Sequence, residues 1–179
     1  RYGDSDFGRG CLMALRLVEK GVRMVQIYYG NSQPWDSHED IQAHKANAKK
    51  ADPAVAALVE DLASRGLLDE TLVIVSSEMG RKPKIGDPRS GGVSGAGRDH
   101  WTRSMSILLA GGGIRGGMTL GQTDDYGYNI ESDPVHIHDL NATILQCLGM
   151  DHQRLTYRFQ GRDYRLTDVH GNVVRELLV

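Results

Sequence analysis

The chain has 179 residues, about one ordinary domain. Its 40% apolar and 25% charged content excludes both intrinsic disorder and a fibrous class. Twenty-one basic against 23 acidic residues leave a net charge of -2 with no basic stripe, which argues against a nucleic-acid partner. No apolar run approaches the ~20 residues of a membrane-spanning helix.

Residues Phe7 to Lys20 place Cys11, Leu12, Leu15 and Val18 at helical spacing, with Gly21 as the stop. The start, Arg1-Tyr2-Gly3-Asp4, is no signal peptide and lacks a methionine, so the chain is expected to be a fragment or processed product. Val22 to Tyr29 is strand-like and bounded by glycines. Residues 39 to 50 are polar and helix-compatible, and Asp52-Pro53 is expected to begin an amphipathic helix carrying Val55, Leu58, Val59 and Leu62 inward. Gly66 closes it.

The β-branched run Thr71 to Ser76 is the expected central strand, of the kind buried on both faces. Residues 79 to 103 have little periodicity and are expected to be a long loop. A second buried strand runs from Ser104 to Ala110, ended by Gly111-Gly112-Gly113, and shorter strands are expected at Gly117 to Gln122 and Tyr126 to Ile130. His138 to Leu148 has the helical period, and Leu155 to Leu178 alternates weakly, as short edge strands with turns do. Cys11 and Cys147 lie in apolar helical segments, where a cysteine acts as a small buried hydrophobe. Alternating strands and helices point to an α/β layered sheet with helices on both faces.

Three polar motifs stand beside the strand-like runs: Trp35-Asp36-Ser37-His38, Ser77-Glu78-Met79-Gly80-Arg81 and Gly97-Arg98-Asp99-His100-Trp101. Strand ends in an α/β sheet deliver side chains to one crevice, so Asp36, His38, Glu78 and His100 are the candidate metal ligands. Mixed carboxylate and imidazole donors suit zinc, manganese or iron. Taken alone, Asp36-x-His38 fits a turn beside a surface histidine better than a ligand pair, and His44 is expected to face solvent. Glu78 fits a rim ligand and a partner for Arg81 equally well, and Arg81 either binds an oxyanion or holds Glu78. Asp99 or a backbone carbonyl is the expected acceptor for the second ring nitrogen of His100.

The remaining motifs are weaker. His136-x-His138 leads into a helix, with Asp139 expected as an early-turn dipole partner. Gly111 to Gly117 is a connection between strands rather than a P-loop, since no Gly-Lys-Ser/Thr follows. Gly92-Val93-Ser94-Gly95 fails the spacing of a nucleophile elbow, and the chain holds no His-Glu-x-x-His.

In order and spacing the motifs resemble the bacterial DUF1501 proteins, distant relatives of sulfatases and alkaline phosphatases. The resemblance rests on the three polar motifs together with Phe7-Gly8-Arg9-Gly10-Cys11-Leu12, the stretch from Gly66 to Val73, Leu109-Ala110-Gly111-Gly112-Gly113 and the stretch from Gly161 to Asp168, which together span nearly the whole chain. It implies an alkaline-phosphatase-like layered sheet, with residues 1 to 179 as a single domain forming its C-terminal portion. It also implies hydrolysis of a small-molecule sulfate or phosphate ester at one or two divalent metals, zinc, manganese or calcium. Asp36, His38, Glu78 and His100 take the ligand roles, and Arg81 and Arg98 stabilise the ester oxygens as catalytic residues.

The family pattern places the nucleophile and a further acidic ligand in the N-terminal half of the parent protein, so that residues 1 to 179 alone are expected to turn over negligible substrate. Relatives often carry a twin-arginine signal, implying an exported or periplasmic parent. Two departures stand out. Cys11-Leu12-Met13-Ala14-Leu15-Arg16 is not the formylglycine motif of sulfatases, and Ser77-Glu78-Met79 stands where the superfamily more often has Asp-His. The alternative to a hydrolase is a binding or scaffold domain that keeps the fold without the chemistry.

Overall fold

The computed structural model describes residues 1–86 and 97–179. Gly92-Val93-Ser94-Gly95 and the middle of the expected long loop lie outside the described residues. Helix α1 (Asp6–Glu19) matches the periodicity: the Ser5 hydroxyl accepts from the Gly8 amide at 3.1 Å, and Cys11, Ala14 and Leu15 form the buried face. Helix α2 (Ala43–Ser64) packs against it through Ala54, Ala57 and Leu62.

Helix α2 begins earlier than expected and runs through Pro53. Side-chain bonds to the preceding loop hold its polar first turns in place of apolar packing. Asn47 Nδ2 donates to the Pro34 carbonyl at 2.6 Å, His44 Nε2 lies 2.6 Å from the Trp35 carbonyl, and the Asp40 carboxylate accepts from the Gln42 amide at 2.9 Å. These fixed turns offset the one backbone bond that proline cannot make. At the far end of the helix pair Asp61, only 8% exposed, accepts from the Tyr2 hydroxyl at 2.8 Å and from Arg1 Nη1 at 2.5 Å. Burial and the neighbouring Asp61 push the Tyr2 phenol up to about 12.

Four two-stranded antiparallel ladders follow among the described residues. Strand β1 (Val73–Val75) pairs with β4 (Leu108–Ala110), and β2 (Gly80–Arg81) with β3 (His100–Trp101). Strand β5 (Gln122–Thr123) pairs with β6 (Ile130–Ser132), and β7 (Thr156–Phe159) with β8 (Arg162–Arg165). The chain is thus a mixture of helices and small antiparallel sheets, and the alkaline-phosphatase-like layered sheet is not among the described residues.

Strand β1 was expected to be buried on both faces; instead Ile74 and Val75 are 39% and 40% exposed, because β4 is its one neighbour among the described residues. Residues 22–29 form no ladder with any of the described residues either, although Val25, Ile27 and Tyr29 are half-buried and alternate with exposed Met24, Gln26 and Tyr28. That period of two is a strand's, and Ile27 passes close to Gly10 of α1, where an added Cβ would lie 3.1 Å from it.

Helix α3 (Ile137–Cys147) is capped at its start: His136 Nδ1 accepts from the His138 amide at 3.2 Å, and the Asp139 carboxylate accepts from the His136 amide at 3.3 Å. The Asp139 carboxylate also accepts from the Asn172 amide at 2.7 Å, tying the C-terminal segment to the helix. In the β7–β8 hairpin Gln160 and Gly161 both have positive φ, 48° and 80°, as a two-residue type I′ turn requires. Cys11 and Cys147 are free thiols, and burial pushes Cys11 up to about 11, which makes it a poor nucleophile.

The α1–α2 seam sets the stability of this part of the chain. Leu62→Ala removes a side chain that is 1% exposed against a rigid neighbour, and should cost about 2 to 5 kcal/mol in urea unfolding. A loss below about 1 kcal/mol would show that the seam relaxes around the cavity.

Candidate metal centre

The loop from Gly30 to Asp40 is threaded between the two helices by rings in succession. Phe7 meets Tyr29 with centroids 5.0 Å apart, Tyr29 meets Trp35 at 5.0 Å, and Trp35 meets His44 edge-on at 5.2 Å. The Tyr29 hydroxyl donates to the Asn47 carbonyl at 3.1 Å. His44 is therefore half-buried and holds the loop, rather than facing solvent. The loop delivers Asp36 and His38 to the β2–β3 ladder.

In that ladder Arg81 lies directly opposite His100, so their side chains emerge on one face. Both reach the same oxygen. Asp36 Oδ1 accepts from Arg81 Nη2 at 2.6 Å, lies 2.8 Å from His100 Nε2, and lies 2.9 Å from His38 Nε2. The His100 hydrogen bond first, and Arg81 second, lower the Asp36 carboxyl from 3.8 to about 2. One ligand atom from each of Asp36, His38 and His100 can be chosen so that all lie within 4.8 Å of one another, and the rings of the two histidines are 4.8 Å apart.

The sequence offers Arg81 an oxyanion or Glu78, and among the described residues its hydrogen bonds go to Asp36 and two backbone carbonyls. Nη1 donates to the Arg98 carbonyl at 3.1 Å, and Nη2 donates to the Trp35 carbonyl at 2.9 Å as well as to Asp36. With its side chain only 17% exposed, it clamps the Asp36 loop to the β2–β3 ladder. Arg98 lies beside it, half-buried, with Nε out of reach of solvent and of any acceptor among the described residues. Glu78 is exposed and lies outside the three-residue group.

Behind His100 the sequence offers a backbone carbonyl or Asp99, its neighbour in the chain, as acceptor. Asp99 stands behind His38 instead, with Oδ1 3.1 Å from His38 Nδ1 and Oδ2 3.4 Å from Lys82 Nζ. The Lys82 amide also donates to the Asp99 carbonyl at 2.8 Å. Successive residues of an extended segment point to opposite sides, so Asp99 and His100 cannot serve one ring from the same edge. No sequence signal pairs Asp99 with a histidine in a distant loop.

Gly97 is where the two segments touch. A Cβ there would lie 1.7 Å from the His38 carbonyl oxygen, and the Arg98 amide donates to the Ser37 carbonyl at 3.3 Å. Only a residue without a side chain lets the strand leading to His100 pass so near the loop carrying His38.

The family described as Protein of unknown function (DUF1501) matches residues 1–178. The chain belongs to the DUF1501 family. Comparison with curated proteins gives no match, and comparison with solved structures gives none. Among the described residues of this DUF1501 chain, no helix is long and apolar enough to cross a membrane.

Two outcomes follow from the site's geometry. Asp36 has a lowered carboxyl, so its share of stability is complete above about pH 4 and is lost as the pH falls toward 2. Asp36→Asn should flatten that part of the acid-unfolding curve, whereas an unchanged curve would mean that the bonds to His100 and Arg81 contribute nothing to folding. Gly97→Ala should push the two segments apart and abolish the contact between Asp36 and His100. Retention of that contact in the variant's structure would contradict the close-packing account.

Proposed function

We propose that this DUF1501 chain supplies the metal-binding part of a hydrolase acting on small-molecule sulfate or phosphate esters. The convergence of Asp36, His38 and His100 on one point carries the reading. One carboxylate and two imidazoles are a donor set suited to zinc, manganese or iron, and three protein ligands leave a position open for water or substrate. The residues fit such an ion.

Charge supports an anionic substrate. Asp36 is paired with Arg81, and Asp99 with Lys82, so with neutral imidazoles the immediate site carries little net charge of its own. A divalent cation there would make it positive, and the Arg98 guanidinium adds to that. When bound, the cation supplies Lewis acidity toward an ester oxygen and a lowered pKa for bound water. Asp36 and the two histidines hold it, and Arg81 keeps Asp36 in place. Arg98, with donors not committed to Asp36, is the residue assigned to the ester's oxygens. Glu78, exposed and outside the three-residue group, keeps the ligand role that the sequence reading gives it.

Metal content and affinity test the reading directly. The purified chain titrated with zinc or manganese should take up close to one equivalent, and His100→Ala and Asp36→Ala should each weaken binding by at least 10-fold. Absence of stoichiometric binding would overturn it. A panel of aryl sulfates, phosphomonoesters and phosphodiesters, run on the metal-loaded parent protein, separates hydrolase from scaffold. Turnover that depends on Asp36 supports the hydrolase; metal binding with no turnover of any ester supports the binding-domain alternative.

A further inference from the structure

The extended segment from Arg23 to Tyr29 is held in place through one of its two sets of side chains. Ile27 reaches Gly10 of α1, where an added Cβ would lie 3.1 Å from its Cγ2, and the Tyr29 ring stands 5.0 Å from Phe7 and 5.0 Å from Trp35. The alternate positions face outward: Met24 is 82% exposed and Tyr28 75%, with exposed Gln26 between them. The main chain is unpaired as well. Among the described residues, no backbone amide or carbonyl from Arg23 to Tyr29 is bonded to another main-chain group. A row of such groups calls for an extended strand, because only a strand presents N–H and C=O groups at the same spacing.

We propose that this strand is the same segment of a second copy, paired antiparallel about Gln26 in a two-fold dimer. The order of the side chains selects that occupant. Pairing about Gln26 sets Met24 against the partner's Tyr28, and Val25 against the partner's Ile27. Apolar residues then meet apolar residues on both faces, and a thioether meets an aromatic ring. Arg23 falls at the end of the overlap, opposite the partner's Tyr29, so no like charges face each other. The one polar pair is Gln26 with its own twin. An amide side chain carries both donors and an acceptor, so two of them are mutually complementary.

Other registers fit worse. Pairing about Val25 would set Met24 against the partner's Gln26 and Arg23 against the partner's Ile27. Pairing about Ile27 would set Gln26 against the partner's Tyr28 and leave Met24 opposite the partner's Gly30. A centre lying between two residues would bring the half-buried positions of one copy onto the exposed face of the other. The contact is isologous, each copy giving the same seven residues, and that small size makes the dimer dependent on concentration.

Sedimentation equilibrium tests the proposal on the unmodified chain, on Gln26→Lys, on Gln26→Glu and on an equal mixture of the two variants. Gln26 is exposed, so neither change disturbs packing within a copy. The unmodified chain should pass from monomer to dimer between micromolar and near-millimolar concentration. Like charges directly opposite each other at the two-fold should weaken self-association of each variant about 5-fold or more, and the mixture should recover it, since lysine then meets glutamate. An unmodified chain that stays monomeric throughout that range would overturn the proposal. So would a dimer that neither charge weakens, or a mixture that associates no better than the separate variants.

Discussion

A single carboxylate oxygen, Asp36 Oδ1, joins the separate parts of the site. Three groups from three segments meet on it: a guanidinium from β2, an imidazole from β3, and the ring of His38 in its own loop. Each contact is charge-assisted whenever the histidines are protonated, and the Arg81 contact is so at any ordinary pH. Removing the carboxylate would leave Arg81 held only by backbone carbonyls and would free His100 from the ladder's near side. The lowered pKa of Asp36 expresses the same fact, since a group so surrounded by donors resists protonation.

Everything behind Asp36 serves to bring that oxygen to the β2–β3 ladder. The rings from Phe7 to His44 carry the order of the helix pair into the loop, and the bonds from Asn47 and His44 to the carbonyls of Pro34 and Trp35 fix its backbone. Arg81 completes the clamp by donating to Trp35 and Arg98, one carbonyl from each side of the site. These bonds and ring contacts fix the loop, and no layered sheet stands behind it among the described residues. Such rigidity is what a metal site needs, because ligands held in place need no further ordering when the ion arrives.

Much of this was legible in the sequence, for identifiable reasons. Helices α1 and α3 follow from apolar spacing, and Asp36, His38 and His100 follow from their place beside strand-like runs. Residues 39 to 50 read as helix-compatible, but their union with the helix after Pro53 was not legible, because bonds from Asn47 and His44 to a loop leave no trace in hydrophobic periodicity. The sequence offers Arg81 an oxyanion or Glu78, and it is found on Asp36, since a guanidinium gives no sequence sign of which acidic group it will meet. Of the two acceptors the sequence offers His100, a backbone carbonyl or Asp99, Asp99 is found behind His38 for a related reason: adjacency in sequence means opposite faces in extended backbone.

The central claim is that Asp36, His38 and His100 form one cation site. Anomalous diffraction from crystals soaked in zinc, recorded on either side of the zinc absorption edge, tests it most directly. The account predicts one strong peak about 2.0 to 2.2 Å from Asp36 Oδ1, His38 Nε2 and His100 Nε2 together, with His38 Nδ1 still on Asp99. A peak bound to other residues, or no peak beside Asp36 in well-occupied crystals, would contradict it.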